Sequence, residues 1–504
     1  MDFQKIRKIK EKSLDFMKKN KFCLLLFLSS LFLFIYQHYA ILSWDFSAYV
    51  LNSKYLFYNG TYFETIRPPL VSVLLAPFLI FGSIGEYIYI FIVSCLFFYS
   101  SITLSDLLFK KYLDKNEDIY IFRFIFYFFS LSAYLIYYSF FAGSELLALA
   151  LIELVIIMLL KNKISGFYFG LAFLTRYNLL IFFPLPFLYK NYKKIISNII
   201  IFIITIFPWL LFNYLKYGNW FTSIVDSYAN NILLRNYIYT SFKLSELISL
   251  ISYSMPFLII GILFSIYITI KSGKKWFEYS KLSILFAIMS IIILLDYIKI
   301  PLKDIRYLFN LSLPIAFFSS LSLLPLFKSK INQNLFKRII ISIFIILFVF
   351  SFFFIYDSIK KSRENDNKFF NAAKDIKELG IDECEILSPE WIPLDYFSEN
   401  VYPLGRNPVN ESLQKGKIIL IFKGDESIDD IFNKNDLEAS FKLKETDEYT
   451  FYIKNGFSIK NCAKKYVFDS PYVENHCIII SKKIKPVYFQ NLIYSICEKI
   501  NQKP

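Results

Sequence analysis

The stretch FCLLLFLSSLFLFIYQHYAIL, residues Phe22–Leu42, decides the class of this protein, because it is apolar over a length that crosses a bilayer. The residues before it carry eight Lys and Arg side chains, and no small-residue cleavage site follows it. The run is too long for the core of a secretory signal peptide. It therefore predicts a retained first transmembrane helix, with residues 1–21 as a basic segment in the cytoplasm.

The composition extends this interpretation to a membrane protein with many spans. Of the 504 residues 56% are apolar, 58 are Phe and 38 are Tyr, and the mean hydropathy is +0.45. Soluble domains of this size are far less apolar. The net charge of +15 fits Lys and Arg in cytoplasmic loops, where they set topology, better than it fits contacts with nucleic acid. We therefore expect a lipid bilayer around the chain and no nucleic-acid partner.

Nine apolar runs have about the length of a membrane span. One further region, residues 164–189, lies between basic flanks and predicts two short half-helices that meet at Thr175-Arg176-Tyr177. This gives about eleven helices. Residues 70–82 are expected to lie against the bilayer, because counting them as a span would reverse the side of every later loop. The nine runs cover residues 22–42, 86–109, 119–141, 145–160, 194–215, 249–271, 279–298, 305–327 and 336–356.

With this count, the basic loops lie in the cytoplasm, and the loops at 43–84, 142–144, 216–248 and 299–304 lie outside. The predicted fold is mainly α: a polytopic transmembrane bundle over residues 22–356, followed by an extracytoplasmic α/β domain over residues 357–504. The expected location is the cell membrane, with the N-terminus in the cytoplasm and the C-terminal domain outside.

Residues 357–504 change character and show both helical and strand patterns. Helices are expected at Asn365–Gly380 and Ser427–Phe432, and strands at Glu385–Leu387, 417–422, 441–444 and 449–454. Cys384, Cys462, Cys477 and Cys497 lie in this region. An oxidising compartment permits disulfides among them, with three possible connectivities, and their spacing matches no zinc site.

The loop after the first helix carries the most specific motif. It resembles the first outer loop of the GT-C membrane glycosyltransferases, which include the protein O-mannosyltransferases and the aminoarabinose transferases of lipid A. An Asp follows the first transmembrane helix in that superfamily, and some members have Lys-Pro-Pro-Leu where this chain has Arg67-Pro68-Pro69-Leu70. The pattern here is Trp44-Asp45-Phe46-x-x-Tyr49-x-x-Asn52 … Leu56 … Gly60-x-Tyr62 … Arg67-Pro68-Pro69-Leu70-x-x-x-Leu74.

The resemblance implies catalytic and binding roles for this loop. Transfer from a lipid-phosphate sugar needs a base for the acceptor and cations for the phosphate. We expect Asp45 to be the base, although it could instead cap the following helix. We expect Arg67 to hold the phosphate, although an interfacial Arg could also snorkel to lipid headgroups. Glu64 could pair with Arg67 or help to bind a divalent metal, and Tyr49 could contact substrate or be ordinary packing.

Three further sites resemble the family. Glu145 matches the acidic residue of the second outer loop and is the second catalytic candidate; it could instead stabilise the dipole of its own helix. Arg176 and Tyr177, in Leu-Thr-Arg-Tyr, are expected to contact the donor phosphate or a catalytic acid, against the alternative of a structural ion pair. Arg306, in Asp-x-Arg-Tyr, could serve the phosphate or anchor the chain at the interface.

The function that the resemblance implies is inverting transfer of a sugar from a polyprenyl- or dolichyl-phosphate donor to an extracytoplasmic glycan, lipid or protein. Phe46 follows Asp45 where the protein O-mannosyltransferases have an Asp-Glu pair, which argues against a protein acceptor. The alternative is a transporter or lipid flippase, which would predict broken helices in both halves, whereas the sequence shows one broken element. No cofactor is evident, and a divalent metal is possible. The scarcity of His, with only His38 and His476, argues against histidine-based catalysis.

Overall fold

The computed structural model of the chain describes residues 17–110, 113, 118–131, 143–188, 191–233, 248, 254–271, 277–300, 303–327, 333–404, 409–423 and 441–469. Within these residues the chain is mainly helical, with one five-stranded sheet near its C-terminal end. The described residues therefore form two regions, a bundle of apolar helices and a smaller α/β region.

The helices of the bundle follow one another along most of the chain. Six segments among the described residues are long and apolar enough to cross a bilayer: Lys21–Ala40, Ser83–Phe109, Tyr192–Tyr217, Ser280–Ile298, Ile305–Phe327 and Arg338–Glu378. These segments fit the predicted membrane protein; the count of about eleven helices stays a prediction, since several runs extend beyond the described residues. The helices are α1 (Lys21–Ala40), α2 (Trp44–Tyr58), α3 (Leu70–Leu79), α4 (Ser83–Phe109), α5 (Asp118–Ser130), α6 (Glu145–Leu160), α7 (Gly166–Thr175), α8 (Tyr192–Tyr217), α9 (Thr222–Tyr228), α10 (Met255–Ile270), α11 (Phe277–Lys299), α12 (Ser312–Leu321), α13 (Leu324–Phe327) and α14 (Gln333–Glu378).

The region 164–189 is a broken helix, as the sequence predicted. Helix α7 ends at Thr175, and the chain continues as two 3-10 segments, Tyr177–Phe182 and Leu185–Leu188. Arg176, between the end of α7 and the first 3-10 segment, has extended backbone angles, with φ −151° and ψ 117°. The break therefore places a charged side chain at the tip of the element. The apolar residues 70–82 likewise form only the ten-residue helix α3, about 15 Å long, which is too short to span.

One helical boundary was predicted wrongly. The sequence predicted two helices, a span at 336–356 and a second helix at Asn365–Gly380, with polar residues between them. The structure has a single helix of 46 residues, α14. Since no Gly or Pro lies within it, a change in polarity does not interrupt the backbone hydrogen bonding. The helix ends just before Gly380, whose φ of +66° suits a glycine after a helix.

The sheet has the strand order β2-β1-β3-β5-β4. Its β1 pairs in parallel with β2 and β3, while β5 is antiparallel to β3 and β4. The strands match the predicted ones except for β2, a short strand that the sequence analysis missed. The predicted helix Ser427–Phe432 lies outside the described residues. The strands and their two helices are β1 (Ile386–Ser388), α15 (Trp391–Ser398), β2 (Val401–Pro403), α16 (Val409–Gln414), β3 (Ile418–Phe422), β4 (Phe441–Glu445) and β5 (Tyr449–Ile453).

The α/β region packs on the end of the bundle where α1 ends and α2 begins. The rings of Trp44 in α2 and Trp391 in α15 meet edge to face, with centroids 4.6 Å apart. Trp391 Nε1 donates to the hydroxyl of Tyr62, 3.0 Å away. One of the possible disulfides is present, between Cys384 and Cys462; Cys477 and Cys497 lie outside the described residues.

Candidate functional site

A cavity of about 370 Å³ lies where the ends of several bundle helices meet. Its lining includes Asp45, Tyr49, Arg67, Arg176, Tyr177 and Arg306, which are six of the eight residues predicted for catalysis and substrate binding. The other two, Glu64 and Glu145, are buried behind the lining, each paired with one of its arginines. All eight predicted residues therefore come together at one site.

Asp45 joins two arginines on the wall of the cavity. Its Oδ1 lies 2.7 Å from Arg67 Nη1, and its Oδ2 accepts a hydrogen bond of 2.9 Å from Arg306 Nη1. Each arginine also has a second acidic partner: Arg67 Nε donates to Glu64 at 2.8 Å. Arg306 Nε lies 2.9 Å from Asp304 Oδ2, an ion pair outside the angles of a hydrogen bond. The two guanidinium groups are thus held on either side of one carboxylate.

The position of Asp45 follows from the start of α2. Ser43 is the N-cap of this helix, because its hydroxyl accepts from the Phe46 N–H at 3.3 Å. Asp45 therefore does not serve as the cap, which was the structural alternative for this residue. Its side chain points into the cavity instead and contacts the arginines.

The loop between α2 and α3 holds Arg67 in place. Asn52 in α2 clamps the backbone of Glu64, donating to its C=O at 2.9 Å and accepting from its N–H at 2.7 Å. After Arg67, the two prolines lead directly into α3. Burial alone would lower the pKa of the Arg67 guanidinium, but the carboxylates of Asp45 and Glu64 outweigh it and hold the pKa well above its usual value. Arg67 is therefore a permanent cation at this site.

Glu145 and Arg176 form a second, separate ion pair. Glu145 is the first residue of α6 and is 1% exposed, and its Oε1 accepts from Arg176 Nη1 at 2.5 Å. The same nitrogen donates to Ser144 Oγ at 3.1 Å. The guanidinium also lies 5.1 Å from the centre of the Phe309 ring. Arg176 thus reaches the cavity, while the carboxylate that balances its charge is behind it.

Gly143 allows this turn to approach α2. Its φ is +75°, a left-handed conformation that favours glycine. A Cβ at this position would lie 2.4 Å from the ring of Phe46, the residue after Asp45. Any other residue would therefore push apart the two segments that carry Asp45 and Glu145.

The cavity is also lined by amides and hydroxyls. Tyr177 donates its hydroxyl proton to Ser223 Oγ at 3.1 Å, and its oxygen accepts from Trp209 Nε1 at 2.8 Å. Asn178 Oδ1 is buried and has no hydrogen-bond partner within the described residues. Asn231 lines the cavity from a short π-helical turn, Ala229–Leu233. These residues offer neutral hydrogen-bonding groups in addition to the arginines.

Part of the cavity lining was not predicted from the sequence. Asp296 lines the cavity from α11, where it is the single charged residue between Leu282 and Ile298. An acid within an apolar helix is itself a signal of function, so this residue could have been found. Asp226 accepts a short hydrogen bond from Thr65, in the loop before Arg67. Asn178 and Asn231 carry no such signal, because polar residues in loops and short helices are common.

No group of three or more His, Cys, Asp or Glu side chains within the described ranges is arranged to hold a metal ion. The arginines occupy the space between the acids of the cavity, so that Asp45, Glu64 and Asp304 each face a guanidinium. These three acids therefore have arginine partners in the structure.

The fold of this chain is also found in a solved structure. No protein-family model matches the chain, and no curated protein matches it. Its structure is similar to the crystal structure of ArnT from Cupriavidus metallidurans bound to undecaprenyl phosphate, with a TM-score of 0.58. The match covers 85% of this chain and 97% of that chain at 10% sequence identity. At this identity the likeness establishes the fold.

Proposed function

We propose that this chain is a membrane glycosyltransferase that takes its sugar from a polyprenyl-phosphate donor. The observation that carries the proposal is the bridge that Asp45 makes between Arg67 and Arg306 on the wall of the cavity. Two guanidinium groups on either side of one carboxylate define a place that an anion of similar size can take. The ArnT structure, which has the same fold, was determined with undecaprenyl phosphate bound.

In this proposal the donor phosphate replaces Asp45 as the partner of the two arginines. Guanidinium groups bind phosphate through paired, charge-assisted hydrogen bonds. The exchange has two effects at once: it fixes the phosphate, and it releases the Asp45 oxygens from their ion pairs. Asp45 then becomes a base only when the donor is in place, which limits reaction of the donor with water.

The reaction is a single displacement. The acceptor hydroxyl oxygen attacks the anomeric carbon of the sugar, and Asp45 takes the hydroxyl proton. The bond between that carbon and the phosphate oxygen breaks, and its electron pair stays on the polyprenyl phosphate. Arg67 and Arg306 stabilise the added negative charge of this leaving group. Attack on the face opposite the phosphate inverts the anomeric centre.

Glu145 and Arg176 have a supporting role in this scheme. Since Arg176 is paired with a buried carboxylate, its position is fixed before the donor binds. It supplies a third positive group at the cavity. Asn178 Oδ1, which has no partner within the described residues, can accept a hydrogen bond from a sugar hydroxyl.

The arrangement of the helices supports a donor that enters from the bilayer. The residues of the site lie at helix ends: Asp45 is in the first turn of α2, Glu145 is the first residue of α6, and Arg176 follows the last residue of α7. A phosphate at that level lies near the membrane surface, with the polyprenyl chain in the hydrocarbon. The basic loops support the expectation that this end of the bundle, with the α/β region packed on it, lies outside the cytoplasm.

Transfer of labelled sugar in proteoliposomes tests the proposal. The purified chain is supplied with a panel of labelled polyprenyl-phosphate sugars and with membrane glycans and lipids as acceptors. We expect label to move to an acceptor, and we expect the donor to be lost only with active protein. Movement of intact donor across the bilayer without transfer would favour the flippase. Failure to bind polyprenyl phosphate at all would overturn the proposal.

A further inference from the structure

Residues 462–469, here called the strap, connect the sheet region to the loop that carries Arg67. The strap begins at Cys462, which is joined by a disulfide to Cys384, two residues before β1. It then runs beside the segment before β1, where the Lys465 N–H donates to Glu383 O at 3.2 Å. Its first half is therefore fixed to the α/β region by one covalent bond and by backbone pairing.

The second half of the strap pairs with the loop after α2. The Phe468 N–H donates to Thr61 O at 2.7 Å, and the Phe63 N–H donates to Phe468 O at 2.8 Å. The ring of Phe468 stacks on that of Tyr62, with centroids 5.3 Å apart and planes 5° from parallel. These contacts form a parallel β-bridge between two segments that are far apart in the sequence.

Two further contacts hold the end of the strap to the bundle. The carboxylate of Asp469 accepts from the Tyr55 hydroxyl at 2.9 Å and lies 3.0 Å from Lys216 Nζ. Tyr217 donates its hydroxyl proton to the Asp469 C=O at 3.2 Å. Residues of α2 and α8 thus hold the strap where it meets the loop.

The loop segment that the strap contacts leads directly to the arginine of the cavity. Glu64 follows Phe63, and Arg67 lies three residues further on, with its N–H 3.4 Å from Glu64 O. Asn52 clamps Glu64 from the side of α2. The path from the disulfide to Arg67 therefore consists of short, directly bonded steps.

We propose that the strap is a positioning element of the catalytic site, which sets the place of Arg67 through its pairing with Thr61–Phe63. The inference rests on the proposed function, because it gives the α/β region a part in binding the donor phosphate. Phe468 and Tyr62 are positioning residues and not catalytic ones, since they act on the loop and do not line the cavity. A displacement of about 1 Å at a reacting site can cost about 100-fold in rate.

Phe468→Ala tests the proposal, and Val467→Ala is its matched control. Val467 is the neighbouring strap residue, and its side chain is 54% exposed. We expect Phe468→Ala to weaken binding of polyprenyl phosphate and to lower kcat/KM about 10-fold or more. Val467→Ala should change neither. A double variant, Cys384→Ala with Cys462→Ala, should act in the same direction as Phe468→Ala.

Amide hydrogen exchange separates positioning from general loss of structure. In Phe468→Ala, exchange should rise at the Phe63 amide, because the backbone oxygen that accepts from it is held less firmly without the stacked ring. Exchange should stay unchanged in β3, which is fully buried. Unchanged exchange at Phe63 together with unchanged donor binding would overturn the proposal. Faster exchange in β3 as well would assign Phe468 a structural role and also overturn it.

The same design distinguishes failure of the strap from failure of the proposed function. The exchange measurement needs no substrate, so it reports on the strap even if the wild-type protein does not bind polyprenyl phosphate. Binding by the wild type that Phe468→Ala leaves intact would reject the strap and retain the transferase. Absence of binding in the wild type would reject the donor assignment, and with it the part of the strap in donor binding.

Discussion

Asp45 and Glu145 differ in the number of arginines that each carboxylate contacts. Asp45 divides its two oxygens between Arg67 and Arg306, and all three side chains line the cavity. Glu145 forms an ion pair with one arginine among the described residues, Arg176, and is 1% exposed. A carboxylate that lines the cavity between two cations can leave them to another anion, whereas a buried carboxylate with one cationic partner cannot separate from it without leaving a bare charge. From this difference we expect Asp45 to leave its arginines when the donor phosphate binds and Glu145 to keep its ion pair with Arg176.

Asp45→Asn should have the largest effect. The amide keeps the size of the side chain but cannot accept the acceptor's proton, so we expect kcat to fall about 10²–10⁴-fold. Binding of polyprenyl phosphate should persist or tighten, because the amide competes less strongly for the two arginines. Steady-state transfer and equilibrium binding measure the two quantities separately. Full transfer activity in this variant would make Glu145 the leading base.

Asp106→Asn is the control for that substitution. Asp106 also pairs with an arginine, Arg123, at 2.6 Å, but near the opposite end of α4 from the α/β region. It should leave kcat unchanged. A similar loss of kcat in both variants would show that any broken acid–arginine pair disables the protein.

Glu145→Gln should lower the free energy of unfolding more than it lowers kcat. Removing one partner of a buried ion pair leaves the other charge uncompensated, which typically costs about 3–5 kcal/mol in the free energy of unfolding. The double variant Glu145→Gln with Arg176→Gln should regain part of that loss, because the bare charge is gone. Unfolding in detergent at increasing denaturant measures both. A large loss of kcat with unchanged stability would contradict the assignment and give Glu145 a catalytic role.

Arg67→Ala and Arg306→Ala should each weaken donor binding by about 10–100-fold, the size of a lost charge-assisted hydrogen bond. Arg67→Lys should recover part of the affinity, because lysine keeps the charge but not the paired donors. Titration with polyprenyl phosphate in nanodiscs measures the affinity. Lys54→Ala, which removes a surface pair with Glu399, is the control. Equal affinity in wild type and both alanine variants would place the phosphate elsewhere.

Another acid, buried in the α/β region, extends the comparison to a carboxylate without an ion pair among the described residues. Asp395 in α15 accepts from the Val401 N–H at 2.9 Å, and its Oδ2 has no hydrogen-bond partner within the described residues. Burial raises the pKa of this carboxyl from its usual 3.8 to about 7. The folded state therefore holds the proton more tightly than the unfolded state does.

This raised pKa predicts the smallest effect, a dependence of stability on pH. The stabilisation from proton binding is complete below about pH 4 and is lost as the pH rises through about 7. We expect the α/β region to melt at a lower temperature at pH 8 than at pH 6. Asp395→Asn should flatten this dependence. A wild-type melting temperature that rises over this pH interval would contradict it.

The sequence could predict the residues of the site that lie close together in the chain, but not the contact of Asp45 with a second arginine. Asp45 and Arg67 lie in one short motif, so spacing and resemblance were enough to select both. Arg306 is separated from Asp45 by 261 positions, and only the folded bundle brings the two side chains to 2.9 Å. The exchange of partners proposed for Asp45 depends on that long-range contact.

The misses in the fold have separate physical causes. Strand β2 has three residues and ends in Pro403, so its pairing with β1 gives little periodicity to detect. The continuity of α14 was missed because hydropathy indicates the surroundings of a helix and not where its hydrogen bonds end. Strand β3, in contrast, was predicted nearly to the residue, because five consecutive buried aliphatic and aromatic residues form a strong signal.

The length of α14 makes bilayer thickness a variable of this protein. At 46 residues the helix is about 70 Å long, more than twice the hydrocarbon layer of about 30 Å. Its last turns, including Phe369, Ala372 and Ile376, belong to the core beneath the sheet. A thicker or thinner membrane changes the tilt of such a helix, at a modest energetic cost. We therefore expect a change in membrane thickness to change the height and angle of the sheet relative to the cavity.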